Sequence, residues 1–150
     1  MSTASVPGGA AVYREIVQQY LNARAGLVTD RYPTAAAALA VSSRGASFAD
    51  LLNAQAPGLL ESRELLARHG RTYSDATAQL SDVLVGVDTD GAVFLRASVT
   101  ESASLNLGRT TESDEGHSEQ RFTFSSNGGA PILHLEADAP AAETVLTETP

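Results

Sequence analysis

The stretch Val93-Phe94-Leu95-Arg96-Ala97-Ser98-Val99-Thr100-Glu101-Ser102-Ala103-Ser104-Leu105-Asn106-Leu107 decides the fold. Val93, Leu95, Ala97, Val99, Ala103, Leu105 and Leu107 share one parity, and Arg96, Ser98, Thr100, Ser102, Ser104 and Asn106 hold the other. A period of two puts successive side chains on opposite faces of an extended chain, so this is a long antiparallel strand with one buried and one wet face. Only Glu101 interrupts the apolar row.

Upstream, Asp88-Thr89-Asp90-Gly91 has turn chemistry, and a second alternating run precedes it. In that run Ala76, Ala78 and Leu80 hold one parity and Val83, Val85 and Val87 the other. A slip of one residue would turn every later side chain to the wrong face, so the pattern predicts a bulge or bend near Ser81-Asp82. Downstream, Arg109 to Ser118 is rich in Glu and Asp and reads as a polar loop. Phe122 and Phe124 mark a third strand, Asn127-Gly128-Gly129 a hairpin, and Leu133 and Leu135 a fourth strand, with His134 and Glu136 on its wet face.

The first half has a different period. After Pro7-Gly8-Gly9, the residues Tyr13, Ile16, Tyr20 and Leu27 form one stripe with Val12, Val17 and Leu21 beside it, which predicts a helix from Ala10 to Val28. Asp30 to Pro33 breaks it, and Ala35 to Val41 reads as a short helix of small residues. Ser47, with Asp50 three residues on, is the expected N-cap of a short helix through Phe48, Leu51 and Leu52. Pro57-Gly58 interrupts, and a further helix carrying Leu59, Leu60, Leu65 and Leu66 ends at Gly70, with Arg68 and His69 in its last turn.

Helices followed by a four-strand meander with one apolar face make a two-layer α+β domain. We expect a flexible N-terminus over 1–9, one domain over 10–138 and a disordered tail over 139–150, where Ala, Pro, Thr and Glu show no core-forming period. A chain of 150 residues with 43% hydrophobic content can close one core without staples. It has no cysteine, hence no disulfide, thiolate ligand or thiol nucleophile.

Charge narrows the partners. The net charge is -8, and all ten cations are arginines. Nucleic acid and anionic membrane surfaces both need clustered cations, so neither is an expected partner. The opening residues lack the charged leader and apolar segment of a signal peptide, and no run is long enough to span a bilayer. The expected location is cytoplasmic, or secreted if the chain is a fragment whose leader has been removed.

The order of elements resembles the NTF2-like/cystatin-like α+β cone. More narrowly, Glu61-Ser-Arg-Glu-Leu-Leu-Ala-Arg-His-Gly70, then Thr72-Tyr73-Ser74-Asp75-Ala76, the alternating strands and Phe122-Thr-Phe124 through Gly128-Gly129 resemble a leading domain of some actinobacterial secreted proteins, placed before an amidase domain. That resemblance covers about half the chain and implies an accessory role.

Among candidate chemistries, Glu101 stands out. A carboxylate aimed at an apolar face is desolvated, which raises its pKa and suits a general base. Acidic residues inside the cone act so in NTF2-like enzymes. A bulge that turned Glu101 outward, or a place at the rim, would make it structural instead. Tyr13, Tyr20 and Tyr73 are candidate ligand-lining residues, although at helical spacing tyrosines more often belong to the core. Asp88-Thr89-Asp90-Gly91 begins like a calcium loop, but the position for its bidentate Glu is Val99, inside a strand. His69, His117 and His134 lack metal-ligand spacing, no serine lies in a nucleophile motif, and no cofactor is implied.

One inward carboxylate is too few for a catalytic cone, which needs convergent polar groups. The preferred expectation is therefore a non-catalytic accessory or interaction domain that binds a partner protein, or forms a homodimer, through the open sheet face. The alternative is a small-ligand binder or enzyme using Glu101.

Overall fold

A computed structural model describes residues 9–29, 47–125, 131–139 and 146–148. Its elements are α1 (Ala10–Val28), α2 (Ala49–Arg68), β1 (Thr72–Val87), β2 (Val93–Asn106), β3 (Thr111–Ser125), β4 (Ile132–Asp138) and β5 (Leu146–Glu148). The sheet is antiparallel, in the order β4-β3-β2-β1-β5. The expected Ala35–Val41 helix and the Asn127–Gly129 hairpin fall outside the described residues.

The α+β architecture follows the periodicities. Tyr13, Ile16, Val17, Tyr20, Leu21 and Leu27 of α1 are buried as a stripe against the sheet. They meet Ala78, Leu80 and Val85 of β1, Leu95, Ala97 and Val99 of β2, and Phe122 and Phe124 of β3. The Tyr13 ring meets Phe124 edge-on at 4.8 Å. Small Ala78 lets α1 approach closely enough for Gln18 Nε2 to donate to its carbonyl at 2.9 Å.

The slip in β1 is a bulge: Ser81 pairs with Ser98 and Leu84 with Arg96, so Asp82 and Val83 together oppose Ala97. Asp82 carries φ 52°, left-handed backbone in which Asp is tolerated. A second bulge at Ser74 turns Tyr73 onto the inner face, opposite Leu105. The Asp88 carboxylate closes the β1–β2 turn, accepting from the N–H groups of Asp90 at 2.9 Å and Ala92 at 3.0 Å. Burial raises the Asp88 pKa, but those bonds and Arg121 outweigh it and hold the group below the usual carboxylate range.

α2 ends as expected. Gly70 has φ 71°, its N–H donates to Ala67, and Arg71 N–H donates back to Leu66 at 2.9 Å, the paired bonds of a Schellman cap.

Four expectations are corrected. Pro57 lies inside a single helix, where the expectation was a break between two. Leu52 and Ala56 before it are fully buried and Leu59 after it packs on the core, so burial on both sides offsets the lost backbone bond. Ser47 is not the cap: Phe48 holds that position without a side-chain bond, and the Ser47 carbonyl accepts from Leu133 N–H at 2.7 Å. The acidic stretch read as a loop is strand, pairing residue for residue with β2 from Thr111 to Thr123. Within the tail expected to be disordered, Leu146–Glu148 pairs with Val85–Val87 of β1.

Phe94 is buried on the sheet face opposite the helices, where the Arg121 guanidinium lies 4.4 Å from its ring centroid. Alternation alone does not mark it.

Candidate functional site

Helical geometry puts Tyr20 and Arg24 one turn apart on the buried side of α1. Arg24 stacks over the Tyr20 ring, 5.2 Å from its centroid, and its side chain is only 17% exposed. A buried guanidinium needs carboxylate partners. β4 supplies Glu136, 10% exposed, to Arg24 Nη1, and β2 supplies Glu101 to Nη2 at 2.8 Å. Arg24 Nη1 also donates to the Tyr20 hydroxyl at 3.3 Å. That hydroxyl lies 2.8 Å from Gln55 Oε1 on α2 and 3.1 Å from Glu136 Oε1, and its single proton serves one of them at a time. Five side chains from four elements thus share one network.

Glu136 reaches this site because β4 is bulged at His134. Thr123 pairs with Leu135 but Phe124 pairs with Leu133, so the parity flips between them. Leu133 is buried, Leu135 is 48% exposed on the outer face, and Glu136 turns inward, reversing the expected faces of Leu135 and Glu136.

The electrostatics follow from burial. Burial of Tyr20 pushes its pKa up to about 12, with Glu136 adding to the rise and Arg24 opposing it. Burial works against the charge on Arg24, but Glu136, Tyr20 and Glu101 more than compensate and raise its pKa, so it stays charged. Glu101 is 57% exposed and is held by that charge. It shares the inner face with Ala78 and Gly116, on the helix side of the sheet.

A cleft of about 290 Å³ opens beside this ion pair, between the C-terminal half of α1 and the strands. Leu21, Ala25, Val28, Tyr73 and Ala76 make it apolar, and Glu101 and Asp114 contribute its carboxylates. A second, more open hollow lies across the Arg24–Glu101 bridge, against Gln55, Gln120 and Glu136. The structure therefore brings Glu101 and Tyr73 to one cleft. Tyr20 is connected to Glu101 only through Arg24, and Tyr13 borders a separate hollow with Phe124 and His134. Arg24 is not among the residues expected from the sequence; the signal that could have marked it is its place four residues after Tyr20 on the apolar stripe. Glu136 was not, because a bulge in a short strand has no signature in the alternation.

The outer face of the sheet is built differently. Its rows across β1, β2 and β3 are Ser81/Ser98/Glu119, Gln79/Thr100/His117, Thr77/Ser102/Glu115 and Asp75/Ser104/Ser113. Thr100 meets His117 Nδ1 at 3.0 Å, Ser102 donates to Glu115 at 3.4 Å, Ser98 donates to Glu119, and His117 lies 2.9 Å from Glu115. The β1 and β3 members of these rows are exposed.

Among the described residues, no helix is long and apolar enough to cross a membrane. No protein-family model matches the chain, and no curated protein does. Among solved structures, the chain is similar to the intermembrane space region of the chloroplast protein ARC6, with a TM-score of 0.53 and 15% identity over 95% of this chain and 100% of that one. That likeness shows the fold: helices packed on an antiparallel sheet.

Proposed function

We propose that this chain is a non-catalytic interaction domain of NTF2-like type, which docks a partner protein or a second copy of itself through the open sheet face. The observation that carries this is the outer face itself. Twelve side chains on three strands form a hydroxyl- and carboxylate-bearing array, and no described helix lies over it. Leu135 adds exposed apolar area at the β4 side of that face. The arrangement of Glu101 supports the same reading, because a carboxylate held by Arg24 and open to solvent is placed as an ion-pair partner. The likeness to ARC6 is compatible with an accessory domain.

Light scattering at two concentrations, on the wild type and on Thr100→Arg/Ser102→Arg, tests self-association. Wild-type mass that rises with concentration, and variant mass that does not, supports docking through this face. A constant monomer mass in both removes the second copy as occupant.

One observation favours a second reading, a small-ligand binder. The cleft beside Glu101 and Tyr73 approaches the roughly 300 Å³ at which ligand pockets begin. Saturable binding of a small ligand that is lost in Tyr73→Ala would support it.

A further inference from the structure

β3 is longer than the strand beside it. β4 pairs only with Gln120 to Ser125, and one further bond runs from Ala139 N–H to the Glu119 carbonyl at 3.0 Å. From Thr111 to Ser118, β3 is therefore an edge strand among the described residues. The Glu119 carbonyl points away from β2, toward the β4 side. Antiparallel residues send N–H and C=O to the same side, alternating along the strand, and the β2–β3 register has no shift. Ser113, Glu115 and His117 thus aim their backbone N–H and C=O groups outward along an edge roughly 27 Å long.

Long edges recruit other strands, and proteins usually blunt them with charged side chains, proline or a bulge. Neither proline nor a bulge occurs from Thr111 to Glu119, so charge alone guards this edge, and the charge is of one sign. The edge carries Glu112, Asp114 and Glu115, with Glu119 just beyond its end. A second copy laid along it would bring two such acidic edges together, which discourages pairing with itself. A cationic strand would be attracted by the same charges. Asp114 and Gly116 also line the apolar cleft, so inward side chains of an added strand would lie beside it.

We propose that the β3 edge takes up an extended, arginine- or lysine-bearing segment of a partner protein as an additional strand. The inference rests on the interaction-domain reading and names the partner's chemistry. Main-chain bonds would supply the docking, and the carboxylates the selection for positive charge.

The test titrates the full chain with a blocked peptide of alternating Arg and Val long enough to span the edge, following backbone amides by NMR. Binding is expected to protect the amides of Ser113, Glu115 and His117 from exchange. Ser113→Pro removes one edge donor without changing charge and should weaken binding at least about tenfold. A peptide N-methylated on alternate residues applies the same block to the wild-type protein, and should also bind more weakly if Ser113→Pro does not fold. Equal affinity of the wild type for the plain and N-methylated peptides, or no protection at the three amides, overturns the inference and leaves only non-specific charge attraction. A peptide that perturbs Gln79 and Thr100 and ignores the edge overturns it too, while leaving the interaction-domain reading in place. Edge protection that grows with protein concentration in the absence of peptide would identify a second copy as occupant and overturn the basic-partner assignment.

Discussion

Arg24 holds two carboxylates of unequal burial, and that inequality has a measurable consequence. Glu136 is 10% exposed and shares Tyr20 and Arg24 at once, whereas Glu101 is 57% exposed and, among the described residues, its carboxylate pairs with Arg24 alone. Removing one partner of a buried ion pair commonly costs about 3–5 kcal/mol, because a charge is left uncompensated. In Glu136→Gln the guanidinium keeps Glu101 at 2.8 Å, so we expect a smaller loss, about 2–3 kcal/mol. For a chain of this size that lowers Tm by about 4–12 °C. Glu101→Gln removes a solvent-screened pair and should cost less than about 1 kcal/mol. Urea unfolding of both variants against wild type decides the matter. If Glu101→Gln costs as much as Glu136→Gln, the burial argument is wrong. A gain in stability in Glu101→Gln would be the signature of a carboxylate kept for function at the expense of the fold, and would restore the general-base reading.

Two further outcomes follow. Folding raises the Tyr20 pKa to about 12 from an ordinary 10.0, so the folded state holds this proton more tightly than the unfolded chain does. The associated stability is fully present below about pH 10 and is lost as pH rises toward 12, by about 3 kcal/mol at most; urea midpoints across that window should fall in the wild type and fall less in Tyr20→Phe. Pro57→Ala should raise stability by about 1–3 kcal/mol, since it restores a helix bond and removes a ring clash in a continuous α2; an unchanged or lower urea midpoint would argue for two separate helices.

Much of the fold was legible because its signals were local. The buried stripe of α1, the glycine cap at Gly70, the turn at Asp88 and the slip near Ser81 each follow from spacing and residue chemistry within a few positions. The first half of β3 was not legible, because both of its faces are wet. Its extended form comes from pairing with β2, and no hydrophobic row records that pairing. Pro57 misled for the opposite reason: a strong local breaker is overridden by burial on either side of it. At the candidate site, Glu101 and Tyr73 were found by parity and aromaticity. The Arg24–Glu136–Tyr20 network depends on a bulge at His134 and on packing between distant segments, and a single sequence displays neither.

The claim that the open sheet face is where this domain works can be tested by placing a photo-reactive residue at Thr100, in the centre of that face, and separately at the exposed Leu65 of α2. Illuminated in the cells that make the protein, the chain labelled at Thr100 should give one discrete adduct, with a partner or a second copy, and the chain labelled at Leu65 should give none. The same adduct from both positions, or none from Thr100, would contradict the account.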